Sequence, residues 1–225
     1  LSGSPERALK ILVSRRFHPW EGGEGSVLRQ FTAAHLLLGR KALASGDAAS
    51  ALRHFTGAMD TLENLGEAYH LHQAKADVNY WIGMAHKALG DPVEAANHFT
   101  MCAAEEGDFS EMMVTAHSPL SYFRGLALRE LDRPDDATAL FQSLKEFARA
   151  KLGETAKIDY FATSLPDLLV FNEDLQARRD AENRLLLALA HHGLGETDAA
   201  KVELARMFEF TNTNLHAIDL AGILG

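Results

Sequence analysis

Residues 33–59, AAHLLLGRKALASGDAASALRHFTGAM, contain the pattern that decides the fold of this chain. A small residue, Gly39, is flanked by apolar residues, and a turn follows seven residues later at Gly46. Ala51 lies five residues past that turn, and Phe55 lies four residues further on. Apolar residues spaced by three and four on both sides of a turn predict two amphipathic helices packed antiparallel to each other.

The same pattern recurs in residues 78–102 and 121–144 and, less completely, in residues 184–208. The fourth copy keeps its turn at Gly195 and has Ala200 in place, but Leu204 replaces the phenylalanine. Residues 1–16 resemble half a copy. Consecutive helix pairs of this kind are typical of an α-solenoid, in which each pair buries its apolar face against its neighbours.

The turns also carry helix-capping signals. Asp47, Asp91 and Asp198 are predicted to cap the second helices of their pairs, because a carboxylate accepts hydrogen bonds from the free amides of a first turn. Pro92 and Pro134 suit a first helical position, where no amide donor is needed.

Small, small and aromatic residues at these spacings resemble the tetratricopeptide repeat, although the proline that usually follows the second helix is missing. The resemblance implies an all-α, right-handed superhelix of antiparallel helix pairs. The copies here are longer than the ordinary period of about 34 residues, so we expect lengthened loops between pairs. We expect a single repeat domain over residues 1–225, cut from a larger protein, with the following parts: a half repeat at 1–16, helix pairs at 26–61, 67–104, 116–150 and 172–210, and a C-terminal cap at 212–225.

The lengthened loops are acidic and rich in glycine. EGGEG, ENLGE and EEGD begin at Glu21, Glu63 and Glu105, at equal intervals along the chain. These loops are interpreted first as helix boundaries, because glycine ends helices and carboxylates favour helix amino termini. Alternatively, they hold a polar ligand such as a sugar, and the candidate residues are then Trp20, Glu21, Glu24, Glu63, Asn64 and Glu105.

The stretches FHPWEGGEG, ENLGE, YWIGMAHKALGD and KIDYFATSLPDLLVFNEDLQ together resemble the C-terminal repeat region of a family of large bacterial proteins. In that family the repeats follow an N-terminal domain of unknown function, which is associated with β-rich carbohydrate-active folds. The resemblance extends from about Glu6 to Leu204 and implies a repeat module of a larger protein. It assigns no catalytic residue.

Composition excludes several functions. The net charge of −9 disfavours binding of nucleic acid or anionic membrane. The single cysteine, Cys102, excludes an intrachain disulfide framework and suits a reducing, cytoplasmic setting. Motifs of nucleophilic hydrolases, nucleotide-binding loops and zinc peptidases are absent from the sequence, so we expect no catalysis, no cofactor and no metal.

The inward faces of the first helices are the candidate partner-binding surface. Helical spacing brings together a basic and aromatic set on these faces: Arg40, Tyr80, Met84, Lys87, Tyr122, Arg129 and His192. One interpretation is a solvated face on which long cations merely cover apolar surface. The other is a groove that receives an acidic peptide or a terminal carboxylate.

Two functions of different classes follow from these observations. The first is a non-catalytic scaffold that binds a peptide, a protein or a neighbouring domain of the same polypeptide. The second is an accessory module of a larger carbohydrate-active enzyme, with the acidic loops contributing to a sugar-binding site. The sequence specifies neither the ligand nor the oligomeric state.

Overall fold

The computed structural model describes residues 3–18, 25–70, 73–110, 113–155 and 174–225. These residues contain helices α1 Pro5–Ser14, α2 Ser26–Ala44, α3 Ala48–Gly57, α4 Ala76–Ala88, α5 Pro92–Ala104, α6 Leu120–Glu130, α7 Pro134–Leu152, α8 Leu175–Gly193, α9 Thr197–Phe208 and α10 Leu215–Leu224. A 3-10 turn lies at Glu63–Leu65, and strands β1 Asp108–Ser110 and β2 Met113–Thr115 form an antiparallel hairpin. The described part of the chain is mostly helical, which confirms the predicted all-α class.

The helices pair at the predicted turns: α2 with α3, α4 with α5, α6 with α7, and α8 with α9. Gly46, Gly90 and Gly195 adopt left-handed φ angles of 84°, 77° and 78°, and Asp132 adopts the same conformation with a φ of 56°. After each turn residue, the next amide donates back to a carbonyl of the preceding helix, as Asp47 does to Ala42 at 2.9 Å. This pattern ends a helix sharply and reverses the chain.

Close contact between the helices of a pair depends on glycine. A Cβ atom at Gly39, Gly83 or Gly125 would lie only 2.3 to 2.6 Å from the ring of a phenylalanine on the second helix. The rings belong to the three phenylalanines that the repeat predicts: Phe55, Phe99 and Phe141. All three are buried. In three pairs, therefore, the small residue of the first helix lies directly against a phenylalanine of the second helix.

Two of these phenylalanines also contact the next helix along the chain. Phe55 stacks on Trp81 of α4, with ring centroids 5.9 Å apart. Phe141 packs against Gly193 of α8, where a Cβ atom would meet its ring at 2.5 Å. One ring therefore contributes to packing within a pair and to packing against the following helix.

Two of the three predicted aspartate caps are present. Asp47 accepts a hydrogen bond from the Ser50 amide at 2.9 Å, and Asp91 accepts one from the Glu94 amide at 3.2 Å. The prediction for Asp198 is wrong, because α9 begins after Glu196, which makes no side-chain cap, and Asp198 lies within the first turn. Pro92 and Pro134 occupy the first turns of α5 and α7 as predicted.

The chain divides into two compact units, Leu1–Glu105 and Glu106–Gly225. In the first unit, α1 packs on α2, and Leu12, Leu28, Phe31 and Leu65 form a buried cluster there. A second cluster of the first unit lies around Phe55, Val78 and Ile82. In the second unit, α7 and α8 bury a cluster that includes Leu144, Ala148, Leu187 and Ala190.

Candidate functional site

A depression on the first unit is lined by side chains of α2 and α4. It is shallow and open to solvent, with a volume of ≈ 480 Å³. The residues that line it combine apolar and basic chemistry: Leu37, Arg40, Lys41, Leu43, Ala44 and Trp81. We call this surface the Trp81 depression.

The indole of Trp81 forms the base of this surface because its neighbours hold it in place. The ring stacks on buried Phe55 and meets the ring of Tyr80 edge-on, with centroids 5.3 Å apart. The Arg40 guanidinium carbon lies 5.2 Å from the centre of the indole. A cation over an indole is stabilised by the negative face of the ring, so Arg40 is held beside the apolar surface.

Lys41 adds a second cation to the Trp81 depression. Its Nζ atom lies 2.7 Å from a carboxylate oxygen of Glu6, and both side chains are exposed. The ion pair with Lys41 holds the pKa of Glu6 below its ordinary value. An exposed ion pair of this kind exchanges readily for another anion, because it contributes little net free energy.

The other predicted groove residues of the first unit differ in accessibility. Tyr80 is buried against Phe99, Met84 is partly buried, and Lys87 is exposed on the last turn of α4. Arg40, Met84 and Lys87 therefore offer more surface to a partner than Tyr80 does.

In the second unit, two of the three predicted groove residues contact each other. The Tyr122 hydroxyl and the His192 Nδ1 atom are hydrogen-bonded at 2.8 Å, and Tyr122 is only 4% exposed. Arg129 lies over the ring of Phe141 and donates to the Gly193 carbonyl. Burial, followed by the charge of Arg129, lowers the pKa of His192. The seven predicted residues are thus divided between the two units, and a single groove that includes them all stays a prediction.

Of the six candidate residues in the acidic loops, Trp20, Glu21 and Glu24 lie outside the described residues. Glu63 is exposed and lines a shallow depression of ≈ 390 Å³ with Arg16, Leu62 and Asn64. The sugar-binding hypothesis for these loops stays a prediction.

Asn64 has a structural role in its loop. Its side-chain amide donates to the carbonyl oxygens of Leu12 and Arg15, each at 2.7 Å. The main-chain carbonyl oxygen of Asn64 accepts a hydrogen bond from the Phe17 amide at 2.8 Å. These bonds fasten the end of α1 and the segment that follows it to the acidic loop.

Two glutamates of the acidic loops bind backbone amides near helix starts. Glu105 accepts from the Lys75 amide at 2.7 Å, directly before α4. Glu67, which sequence analysis missed, accepts from the amides of Gly25 and Leu28 at 3.0 and 2.9 Å, at the start of α2. Carboxylates at these positions complement the positive end of a helix. The signal that would have found Glu67 is the lack of a capping side chain at Gly25.

Sequence analysis also missed a set of polar contacts between paired helices. His35 meets His54, Asn79 meets His98, and Arg184 meets Glu203. In each contact the two residues are 19 positions apart, so they occupy equivalent places in three helix pairs. The repeat spacing could have revealed these contacts, whereas inspection of neighbouring histidines could not.

An ionic cluster, in which Lys145 and His191 are buried and Glu196 is exposed, connects α7 with the turn between α8 and α9. The Lys145 Nζ atom lies 2.9 and 2.6 Å from the two carboxylate oxygens of Glu196. His191 Nδ1 also contacts this carboxylate, and the Lys145 side chain is 11% exposed. Lys145, followed by His191, lowers the pKa of Glu196 by hydrogen bonding to its ionised form. Every charged group in the cluster has a partner, as a structural ion pair requires.

Within the described ranges, there is no group of three or more His, Cys, Asp or Glu side chains placed to hold a metal ion. Cys102 is fully buried in α5. No helix in the described part of the chain has the length and apolar character needed to cross a membrane. A comparison with models of known protein families finds no match for this chain.

Proposed function

We propose that this chain is a helical-repeat scaffold that binds a segment of another protein, or of a neighbouring domain, without catalysis of its own. The Trp81 depression carries this proposal, because it combines a partly exposed indole with two cations in an otherwise acidic chain. Such a surface suits a segment with an apolar side chain next to a carboxylate.

The tetratricopeptide-like class and the right-handed stacking of the pairs belong to the same proposal. The tetratricopeptide-like class is supported by the glycine and phenylalanine contacts and by the left-handed turn residues that recur in successive pairs. A cytoplasmic location is also proposed, in keeping with a single, fully buried thiol.

The electrostatic part of the proposal has a simple basis. Arg40 is positioned by the indole, so it presents its donors with less loss of side-chain freedom than an unsupported arginine. Lys41 forms an ion pair with Glu6 in an exposed contact. When a partner segment binds, its carboxylate replaces Glu6 as the partner of Lys41. The new contact lies next to apolar surface, where charge-assisted hydrogen bonds are stronger than in water.

The test uses an array of 12-residue peptides in which one acidic residue is placed beside leucine or phenylalanine, with scrambled and amide-capped versions. Peptides retained by the full chain are then measured by calorimetry against the wild type and Arg40→Gln/Lys41→Gln. We expect the double variant to bind about tenfold more weakly, as loss of a charge-assisted hydrogen bond implies.

The matched control is Lys10→Gln/Arg53→Gln, which removes two cations of the first unit that do not line the Trp81 depression. This control should bind as the wild type does. Equal affinity of all three proteins would show that the depression is not the binding surface, and failure of the array to yield any acidic-apolar peptide would contradict the proposed partner chemistry.

A further inference from the structure

The last helix of the second unit, α10, has one buried side and one exposed side. It contacts α8 and α9, and its buried residues are Ala217 and Leu220. Ile218 and Ile223 lie outside this buried face, where they are 39% and 56% exposed. Two large apolar side chains exposed on one short helix form a candidate surface for contact with another protein.

The charge of α10 is complementary to that of the Trp81 depression. The helix contains one acidic residue, Asp219, and no lysine or arginine. Asp219 and Ile223 are four positions apart, so they lie on the same face with their Cβ atoms about 5 to 6 Å apart. The Trp81 depression combines the cations Arg40 and Lys41 with an indole and aliphatic side chains. A carboxylate one helical turn from an isoleucine matches both parts of this surface.

The shape of the Trp81 depression also suits a helix. It is shallow and open, and it is lined by side chains of α2 and α4, which contact each other. The lining residues of α2 include a set at the spacing of a single helix face: Leu37, Arg40, Lys41 and Ala44. An amphipathic helix that lies along such a stripe brings two of its own turns into contact with it.

We propose that the exposed side of α10 in one copy of this chain docks in the Trp81 depression of a second copy. Ile223 then packs against the indole. Asp219 accepts charge-assisted hydrogen bonds from Arg40 or Lys41. The inference rests on the proposed function, because it names a second copy as the partner of the same depression. One helix face buries less than the roughly 1,200 Å² of a standard interface, so the association is weak and depends on concentration.

The experiment measures the average mass of the full chain by sedimentation between about 5 and about 500 µM, a range suited to weak association. We expect this mass to rise with concentration in the wild type. Arg40→Gln/Lys41→Gln removes the charges of the depression. Ile218→Gln/Ile223→Gln removes the apolar part of the α10 surface and keeps helix propensity. Each double variant should associate about tenfold more weakly, through lost hydrogen bonds or lost apolar burial.

A mixture of the two double variants tests the pairing of the two surfaces. The interface is heterologous, because a depression on one copy meets a helix on the other. The first variant keeps an intact α10 and the second keeps an intact depression. An equimolar mixture should therefore form a one-to-one complex at concentrations where each variant alone is monomeric. Val202→Gln, which removes an apolar residue of α9 that is 50% exposed, is the matched control and should associate as the wild type does.

Circular dichroism confirms that each variant is folded; if Ile218→Gln/Ile223→Gln is not, Ile223→Gln replaces it. A wild type that stays monomeric would overturn the inference, as would a mixture that forms no complex or association that persists in both double variants. If a monomeric wild type still binds array peptides through Arg40 and Lys41, the partner is a different protein and the proposed function stands. If it binds none of these peptides, both are overturned.

Discussion

The helix pairs α2–α3 and α8–α9 share one interhelical position but use different chemistry at it. In α2–α3, the contact is between two imidazoles, His35 and His54. In α8–α9, it is an ion pair in which Arg184 lies 2.9 Å from Glu203. The geometry of the pair determines where the two side chains meet, and their chemistry determines how the contact responds to protons or salt.

The apolar contact is less variable than the polar one. Glycine against phenylalanine occurs in three pairs, and the fourth has buried Ala188 and Leu204 at those positions. Shape therefore constrains the apolar position strongly, whereas any two hydrogen-bonding side chains of suitable length satisfy the polar one.

The largest effect is expected for Phe141→Ala, because this ring contacts both Gly125 and Gly193. Truncation should lower the free energy of unfolding by about 3 to 5 kcal/mol, through lost burial and the cavity left behind. Urea unfolding followed by circular dichroism measures the change. The control Phe210→Ala removes a ring that is 40% exposed, and a loss for Phe141→Ala no larger than for this control would contradict the shared contact.

Removal of the ion pair between α8 and α9 should lower the free energy of unfolding by a smaller amount. Arg184→Leu keeps helix propensity but leaves Glu203, whose side chain is 14% exposed, with Arg206 as its other cation. We expect a loss of about 1 to 2 kcal/mol in urea unfolding, because a mostly buried carboxylate loses its nearer partner. Arg206→Leu is the control, with an expected loss below about 0.5 kcal/mol, since Arg206 is 52% exposed. Equal losses of unfolding free energy in Arg184→Leu and Arg206→Leu would show that Arg184 stabilises the pair through packing alone.

The turn after α6 offers a gain of stability. Asp132 adopts a left-handed φ of 56°, where the equivalent residues of the other three pairs are glycine. Asp132→Gly should raise the free energy of unfolding by up to about 1 kcal/mol, because glycine adopts this conformation without strain. Gly90→Ala, made as the opposite change, should lower it by a similar amount. The denaturant midpoints of the two variants measure these changes. A lower midpoint for Asp132→Gly would show that the aspartate side chain stabilises the turn.

The smallest expected effect is on the pH dependence of stability. It distinguishes the histidine contact between α2 and α3 from the ion pair between α8 and α9. The pKa values of His35 and His54 are lowered in the folded chain, so the unfolded chain binds more protons as pH falls below about 6.5. Their contribution to stability is therefore present above that pH and is lost as the pH falls toward the lowered pKa values. Because both side chains are partly exposed, we expect the free energy of unfolding to fall by only about 0.5 kcal/mol for each unit by which the pH is lowered.

His35→Gln/His54→Gln should reduce the dependence of Tm on pH between 7.5 and 5.5, measured in the presence of a chelator. The variant Arg184→Leu serves as the comparison, because the ion pair that it removes contains no histidine. A double variant with the same pH dependence as the wild type would show that other histidines account for it. His98, His117 and His192 also have pKa values lowered by burial.

Much of the local structure was predictable because it follows from short spacings. Turn glycines, first-turn prolines and two aspartate caps depend on neighbouring residues only, and the structure confirms them. The prediction for Asp198 failed because a shift of two residues in the start of α9 moves a carboxylate from the cap into the first turn. Boundaries of that precision depend on where the turn ends in three dimensions.

The sequence by itself determined the helix pairs, their turns and the recurring positions of the small residues and the phenylalanines, because each repeats at a fixed spacing along the chain. The tertiary structure alone decided which polar side chains meet. It placed Glu67 at the start of α2, Trp81 beside Arg40, and His35 against His54. These contacts join residues of different helices or loops, and periodicity within one helix carries no information about the side chain that approaches from the next.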